Sequence, residues 1–481
     1  MNRILLLFLL ILSTLLGTVA AEAKMKVEGQ KTYIHRLYLR DKQGCGFSTE
    51  RPSHFLSQKA IERRRRQKLK IDSTDLPLSR EYIEKIQLVK GLNIIGQSRW
   101  NNTVLIESSD TLLISMLAKQ PFVKEGRMVW MSPDSIDDPL PKMHFHEQFN
   151  RWDSLRGDPL GMARTQIEML AGDRLHEVDL RGRGMTIAIL DGGFQNADRI
   201  PCLKSAHIVG TRDFVSMVKG VPARNFFDGI DHGTKVFSAL AAQAPDVLSG
   251  TAPEANYWLL RCEDPQTEMP IEEDYWAMAA EFADSVGVDI INSSLGYNDY
   301  DKPFDNYQLK DLDGETSFIS HTASMLARKG IVLCSSAGNS GLSTWKKITV
   351  PADAYDILTV GAVNQEKKNA PFASVGPTQD GRVKPDVVAL GSGTSLISGR
   401  GTLVRDMGTS FSTPIVCGLV ACLWQGLPQK NAYEIIDLVR SCSSQYEEPD
   451  NILGYGIPNF WQAYLIGSIP TTPSKKRGSD R

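Results

Sequence analysis

The run Thr186-Ile187-Ala188-Ile189-Leu190 lies between Gly184 and Gly192-Gly193 and has no polar residue after its first position. A strand without polar alternation is buried on both faces, which requires a parallel sheet covered by helices on each side. Ile331-Val332-Leu333-Cys334 has the same character. From Pro414 to Trp424 the chain is apolar at nearly every position, as a helix sunk in a core must be. These segments commit the chain to an α/β fold, a mostly parallel sheet flanked by helices. In such sheets ligands gather at the carboxyl ends of the strands. Asp191, which ends the first run, is therefore a candidate functional residue.

Ser410 sits in Gly408-Thr409-Ser410-Phe411-Ser412-Thr413-Pro414, just ahead of the apolar helix. There its hydroxyl stands beside the free N–H groups and the positive dipole end of that helix. Negative charge that develops when a carbonyl is attacked is stabilised at such a place. Between the two, Asp231-His232-Gly233-Thr234 opens another helical stretch. Asp, His and Ser in that order give a division of labour. Ser410 attacks, His232 takes and returns the proton, and Asp191 fixes the imidazole tautomer and stabilises its charged form. The strand at 331–334 runs into Ser335-Ser336-Ala337-Gly338-Asn339-Ser340-Gly341. Asn339, on this Gly-rich loop, can aim its side-chain amide at the oxyanion beside the backbone N–H of Ser410. Losing one such donor raises the barrier by about 3 kcal/mol.

Over roughly residues 161–424 these motifs resemble the subtilisin-like serine peptidases, the subtilases. The resemblance covers Gly161-Met162-Ala163-Arg164-Thr165-Gln166-Ile167, Ile189-Leu190-Asp191-Gly192-Gly193, Asp231-His232-Gly233-Thr234, Ser336-Ala337-Gly338-Asn339 and Gly408-Thr409-Ser410. It implies a serine endopeptidase acting through an acyl-enzyme on extended polypeptide substrates. It also implies that Ser294, Leu295 and Gly296 pair with substrate as an added strand. Together with Ala337 and Gly338, the same segment would wall the primary specificity pocket. A cis bond before Pro351 is implied as well. Secreted Bacteroidetes subtilases are the most similar, notably around residues 55–66. The family often carries a second His three residues after the catalytic one; here that position is Lys235, and Leu390 stands where a Pro commonly precedes Gly391. Neither position carries chemistry. Asp311-Leu312-Asp313-Gly314, in an insert at 297–317, offers oxygens to calcium but lacks the spacing of a known loop. A solvated loop is the expectation there: no cofactor is required, no metal is assigned, and a structural calcium would have unknown ligands.

The amino terminus reads as a secretory signal over residues 1–21: Arg3, an apolar run at 4–16, then Val19-Ala20-Ala21. The run is short for a membrane span, so the expected product is exported, extracellular or periplasmic, without a stable membrane span. Residues 24–131 read as β-α-β-β-α-β, the order of a ferredoxin-like sandwich, with helices at 55–69 and 110–118. Subtilase propeptides share that fold, so the domain is expected to inhibit and chaperone the rest. It carries a net positive charge, and the remainder of the chain a net negative one, which favours docking of the two. On a helix, Arg63-Arg64-Arg65-Arg66 would fan round nearly a full turn, a solvated or partner-facing surface with no support elsewhere for nucleic-acid binding. Residues 132–158, rich in Asp and Pro, read as a linker containing the self-cleavage site, 159–467 as the catalytic domain, and 468–481 as a disordered tail. Seven cysteines contain no C-x-x-C pair, so zinc is unsupported. Cys334, Cys417 and Cys422 read as small core hydrophobes, while Cys202, Cys262 and Cys442 are freer to pair.

Overall fold

Alternation along the strand β1 (Tyr33–Leu39) decides how the N-terminal domain is built. In this computed structural model, which describes residues 24–26, 31–133, 135–137, 157–216 and 225–469, Leu37 and Leu39 join one apolar cluster and Ile34 another. β1 lies in a four-stranded antiparallel sheet with β2 (Asn93–Ser98), β3 (Thr103–Ser108) and β4 (Val123–Met131), in the order β2-β3-β1-β4. The expected helix over residues 55–69 is shorter, α1 (Gln58–Arg66), with Ser57 as its N-cap. It does not cover the sheet. Ala60 is its one buried apolar side chain, too little for an apolar stripe. A helix not foreseen, α2 (Arg80–Gln87), takes that place with α3 (Thr111–Ala118); Ile86, Ile114 and Leu117 close over Leu37, Val104 and Ile106.

The second domain is organised by seven parallel strands: β5 (Thr186–Asp191), β6 (His207–Asp213), β7 (Asn256–Arg261), β8 (Ile290–Ser293), β9 (Val332–Ser336), β10 (Leu358–Val363) and β11 (Val387–Leu390). Their order is β11-β10-β9-β8-β5-β7-β6. Ile187 and Ile189 of β5 pack with α4 (His232–Ala241) and α6 (Thr409–Gly426), while Ala188 and Leu190 pack with α5 (Ile271–Val286). The apolar run is thus buried on both faces. Strand order reverses at β5, which opens a crevice between the carboxyl ends of β5 and β8. Asp191 and Ser293 end those two strands.

The two domains share a core. Ile34, Trp100, Leu105, Val129 and Trp130 of the first join the cluster around α5. Around that contact, guanidinium groups meet carboxylates of the second domain. Arg36 donates twice to Asp274, at 2.8 and 2.5 Å. Asp284 accepts from Arg63, from Arg64 at 2.9 Å and from Arg99 at 2.9 Å. Arg63 also reaches the Val288 carbonyl at 2.9 Å, and Arg66 reaches Asp289 at 2.9 Å. The arginine run is therefore divided: Arg63 and Arg64 are buried against the second domain, and Arg65 and Arg66 remain exposed. All seven cysteines are free thiols, and Cys262 and Cys442 are buried like Cys334, Cys417 and Cys422. A cis peptide bond precedes Pro351.

Candidate active site

Asp191 is fully buried at the end of β5, and its Oδ1 accepts the Gly192 amide at 2.8 Å. The imidazole Nδ1 of His232, the first residue of α4, lies 2.9 Å from Asp191 Oδ2 and 3.0 Å from Oδ1. Gly233 is required behind this pair, because a Cβ there would stand 2.9 Å from the Asp191 carboxyl carbon. Burial works against a charged imidazole. The Asp191 carboxylate outweighs it, with help from the hydrogen bond and from Glu263, and raises His232 to about 9.

Ser410 is the second residue of α6 and lines a cleft of about 660 Å³ together with His232. Its Oγ donates to the Ser294 carbonyl at 3.2 Å. Pro414 in α6 has no N–H to offer the carbonyl of Ser410 four residues earlier. That carbonyl accepts from Ser294 Oγ instead, at 2.9 Å. The helix start is thereby tied to the edge of β8 by two reciprocal bonds.

Asn339 also lines the cleft. Its Oδ1 accepts from the Thr409 amide at 2.9 Å and from Thr409 Oγ1 at 3.1 Å, which fixes the orientation of the side-chain amide. Its Nδ2 then lies toward Gly408, where a Cβ would stand 3.6 Å from it. Gly338 holds the loop at φ +106°, and a Cβ there would come within 2.9 Å of Ser374 and Thr349. Ser294, Leu295, Gly296 and Gly338 all line the cleft. Ala337 does not: it is fully buried, its N–H donates to the Val360 carbonyl at 3.0 Å, and its carbonyl accepts the Thr349 amide at 3.1 Å. With both backbone groups held in the core, its neighbours Ser336 and Gly338 form that wall instead.

This arrangement suits acyl transfer: a serine at a helix N-terminus, an aspartate-held imidazole and a pinned amide meet around one cleft. The profile of the Subtilase family matches residues 182–456. The chain is a subtilase. A second profile, described as a peptidase S8 propeptide domain of Bacteroidota, matches residues 35–143. This subtilase is 27% identical over 277 residues to the membrane-bound transcription factor site-1 protease of Rattus norvegicus; the match takes in 56% of this chain and 23% of that protein. It is 27% identical over 312 residues to serine protease AprX of Bacillus subtilis (strain 168), with 58% of this chain and 66% of the relative covered. Among solved structures, the MycP3 protease of the type VII (ESX-3) secretion system aligns with a TM-score of 0.49 at 21% identity, over 64% of this chain and 89% of that one. The subtilase family comprises serine peptidases, hydrolases acting on peptide bonds.

Other parts of the subtilase's cleft escape the sequence motifs. Glu263, Asp264, Gln266 and Glu268, in the turn after β7, line it, as do Asn298 and Asp301. A short acid-rich stretch, Glu263 to Glu272, was the only sign of this wall. In the insert, Asp311 and Asp313 cap the local backbone. Asp311 caps the Gln308 amide at 2.8 Å, and Asp313 accepts from the amides of Glu315 and Thr316 at 2.9 and 2.7 Å.

Proposed function

We propose that this subtilase is an exported serine endopeptidase, made as a self-inhibited zymogen, that hydrolyses peptide bonds through an acyl-enzyme on Ser410. The observation that carries the reading is the Asp191–His232 pair facing the cleft lined by Ser410 and Asn339. Rotation of Ser410 about χ1 exchanges the Ser294 carbonyl for the His232 imidazole, and catalytic hydrogen bonds of this kind commonly tighten only when substrate is bound. His232 then takes the hydroxyl proton while Oγ attacks the peptide carbonyl. The oxyanion is met by Asn339 Nδ2 and the Ser410 N–H, which has no acceptor in the first turn of α6. His232 returns the proton to the leaving amine, and water repeats the sequence to release the acyl group. Extended substrate lies along Ser294, Leu295 and Gly296, with no cofactor.

Export rests on the signal-like residues 1–21, which lie outside the described residues, as do most of the linker at 132–158 and nearly all of the tail. Among the described residues no helix is long and apolar enough to cross a membrane. Self-inhibition rests on the propeptide profile and on the core that the two domains share.

A fluorophosphonate probe should label Ser410 in the wild type and fail to label the His232→Ala variant, read by peptide mapping. N-terminal sequencing of the matured chain should give a start between residues 129 and 160. A folded wild type that stays unlabelled would instead be a peptide-binding protein. The pH profile gives a second check. A base held at about 9 is mostly protonated below that pH, and its free fraction falls about tenfold with each unit. kcat/KM should therefore rise about tenfold per unit and level off only on the alkaline side. Asp191→Asn removes the charge that raises the imidazole, so its limb should move to lower pH on a much lower plateau.

A further inference from the structure

Ser410, Ser294, Gly296, Asn298 and Asp301 all line the cleft. Asp301 ties the segment after β8 to the turn after β7. Its amide donates to the Glu268 carbonyl at 2.8 Å, and its carboxylate accepts the Glu268 amide at 2.9 Å. Carboxylate oxygens of Glu263, Glu268 and Glu272 there lie within 4.8 Å of one another. Glu263 and Glu268 are half-buried and face the cleft. Glu272, in the first turn of α5, is fully buried, and neither of its oxygens has a hydrogen-bond partner. The hydroxyl of Tyr297, on a side chain only 1% exposed, is also unpartnered and stands beside the Glu272 carboxylate. Buried polar atoms are nearly always paired in folded proteins; even with the Tyr297 hydroxyl turned to donate to Glu272, one phenol serves only one of its two oxygens and leaves the other an acceptor without a donor.

The surroundings supply little positive charge. Glu268 faces Glu263, Asp301 and Asp299; Glu272 faces Glu263, Glu268 and Asp264. Glu263 has two cations near it, His232 and Arg261, set against Asp191 and Asp264. Burial first, and these like charges second, push Glu263 up to about 7 and Glu268 up to about 8, and Glu272 is raised as well. A cation entering here is repaid in Coulomb energy as the protons leave.

We infer that this end of the cleft is a subsite for a lysine or arginine side chain of the substrate, on the amino-terminal side of the scissile bond. The inference rests on the peptidase reading above and supplies its substrate class. Position decides the side of the bond. The acids run from Glu263, beside Asp191 and His232, to Glu268, tied to Asp301 past the Ser294–Gly296 edge along which the residues before the bond would run. Chemistry decides the ligand. Calcium takes six to eight oxygens arranged all around it, whereas these three carboxylates open into the cleft on one side, where a substrate side chain enters. A long cationic side chain needs only that much.

The matured full chain is to be profiled on peptides that scan the positions before the scissile bond with Arg, Lys, norleucine and Glu. At one position Arg or Lys should exceed norleucine by about tenfold or more in kcat/KM, the scale of a close charge pair. The advantage should grow as pH rises from 6.5 to 9, a ratio in which the ionisation of His232 cancels. Glu268→Gln should shrink it, and Glu268→Lys should reverse it in favour of Glu, a gain that misfolding cannot imitate. Fluorophosphonate labelling confirms that each variant retains a competent serine. Equal rates for Arg and norleucine, or a preference untouched by either variant, overturn the subsite. So does calcium binding by calorimetry that Glu268→Gln abolishes while peptide preference is flat. If no peptide is cut and no probe reacts, the peptidase reading fails and the subsite falls with it. Cleavage without charge preference defeats the subsite alone.

Discussion

Ser410→Ala should leave the N-terminal domain joined to the rest of the chain and lower peptide hydrolysis by about a million-fold. No neighbour can take over the attack. Thr409 Oγ1 accepts the Gly338 amide at 3.2 Å and donates to Asn339, and the fully buried Ser412 donates to the Thr409 carbonyl at 3.0 Å. Residual turnover would come from the oxyanion donors and substrate binding alone. Following the mass of wild type and variant side by side checks this. Should the variant lose its N-terminal domain as fast as the wild type, maturation belongs to another protease.

Asp284→Ala should loosen the docking of the two domains by about 3–5 kcal/mol, the usual penalty for stripping the partner from a buried ion pair. Three guanidiniums converge on this carboxylate, and two of them, on Arg63 and Arg64, are buried. Burial alone would raise the Asp284 carboxyl; Arg63, Arg64 and Arg99 instead hold it below the usual carboxylate value. A depressed acid lends its stability at all pH above the ordinary carboxylate range and loses it only as pH falls through that range and below. The effect should therefore be complete at neutral pH and shrink only in strong acid. Thermal unfolding of the uncleaved chain, with Ser410→Ala as the common background, would measure it. A change below about 1 kcal/mol would mean that the shared apolar core alone holds the domains.

The strand residues Thr186–Leu190 and the loop around Asn339 were legible because burial on two faces admits only apolar side chains, and a helix N-terminus admits few arrangements around a serine. The neighbourhood of Asp191, His232 and Ser410 follows from those two facts. The arginine run was harder: four guanidiniums on one helix read alike whether they face water or carboxylates. Only docking shows that Arg63 and Arg64 are paired while Arg65 is exposed. That division also explains the misplacement of α1, which serves the other domain and leaves its own sheet to α2. Ala337 failed for a local reason. Adjacent residues at a strand end point to opposite sides, so a motif can name the loop without saying which member faces the cleft. The carboxylates of Glu263, Glu268 and Glu272 belong to a turn and the start of a helix, and folding alone brings them together.

The contact between α5 and the N-terminal domain has a further consequence once the linker is cut. While the chain is whole, the two halves meet at an effective concentration fixed by their tether. After cleavage the same contact becomes bimolecular, and its occupancy depends on how much of each half is present. Much of it is apolar core and buried ion pairing, on which dissolved salt acts weakly. Latency would then end through dilution into a large volume, or through destruction of the freed domain. Enzyme discharged into a confined space would stay silent longer than the same amount released into open water.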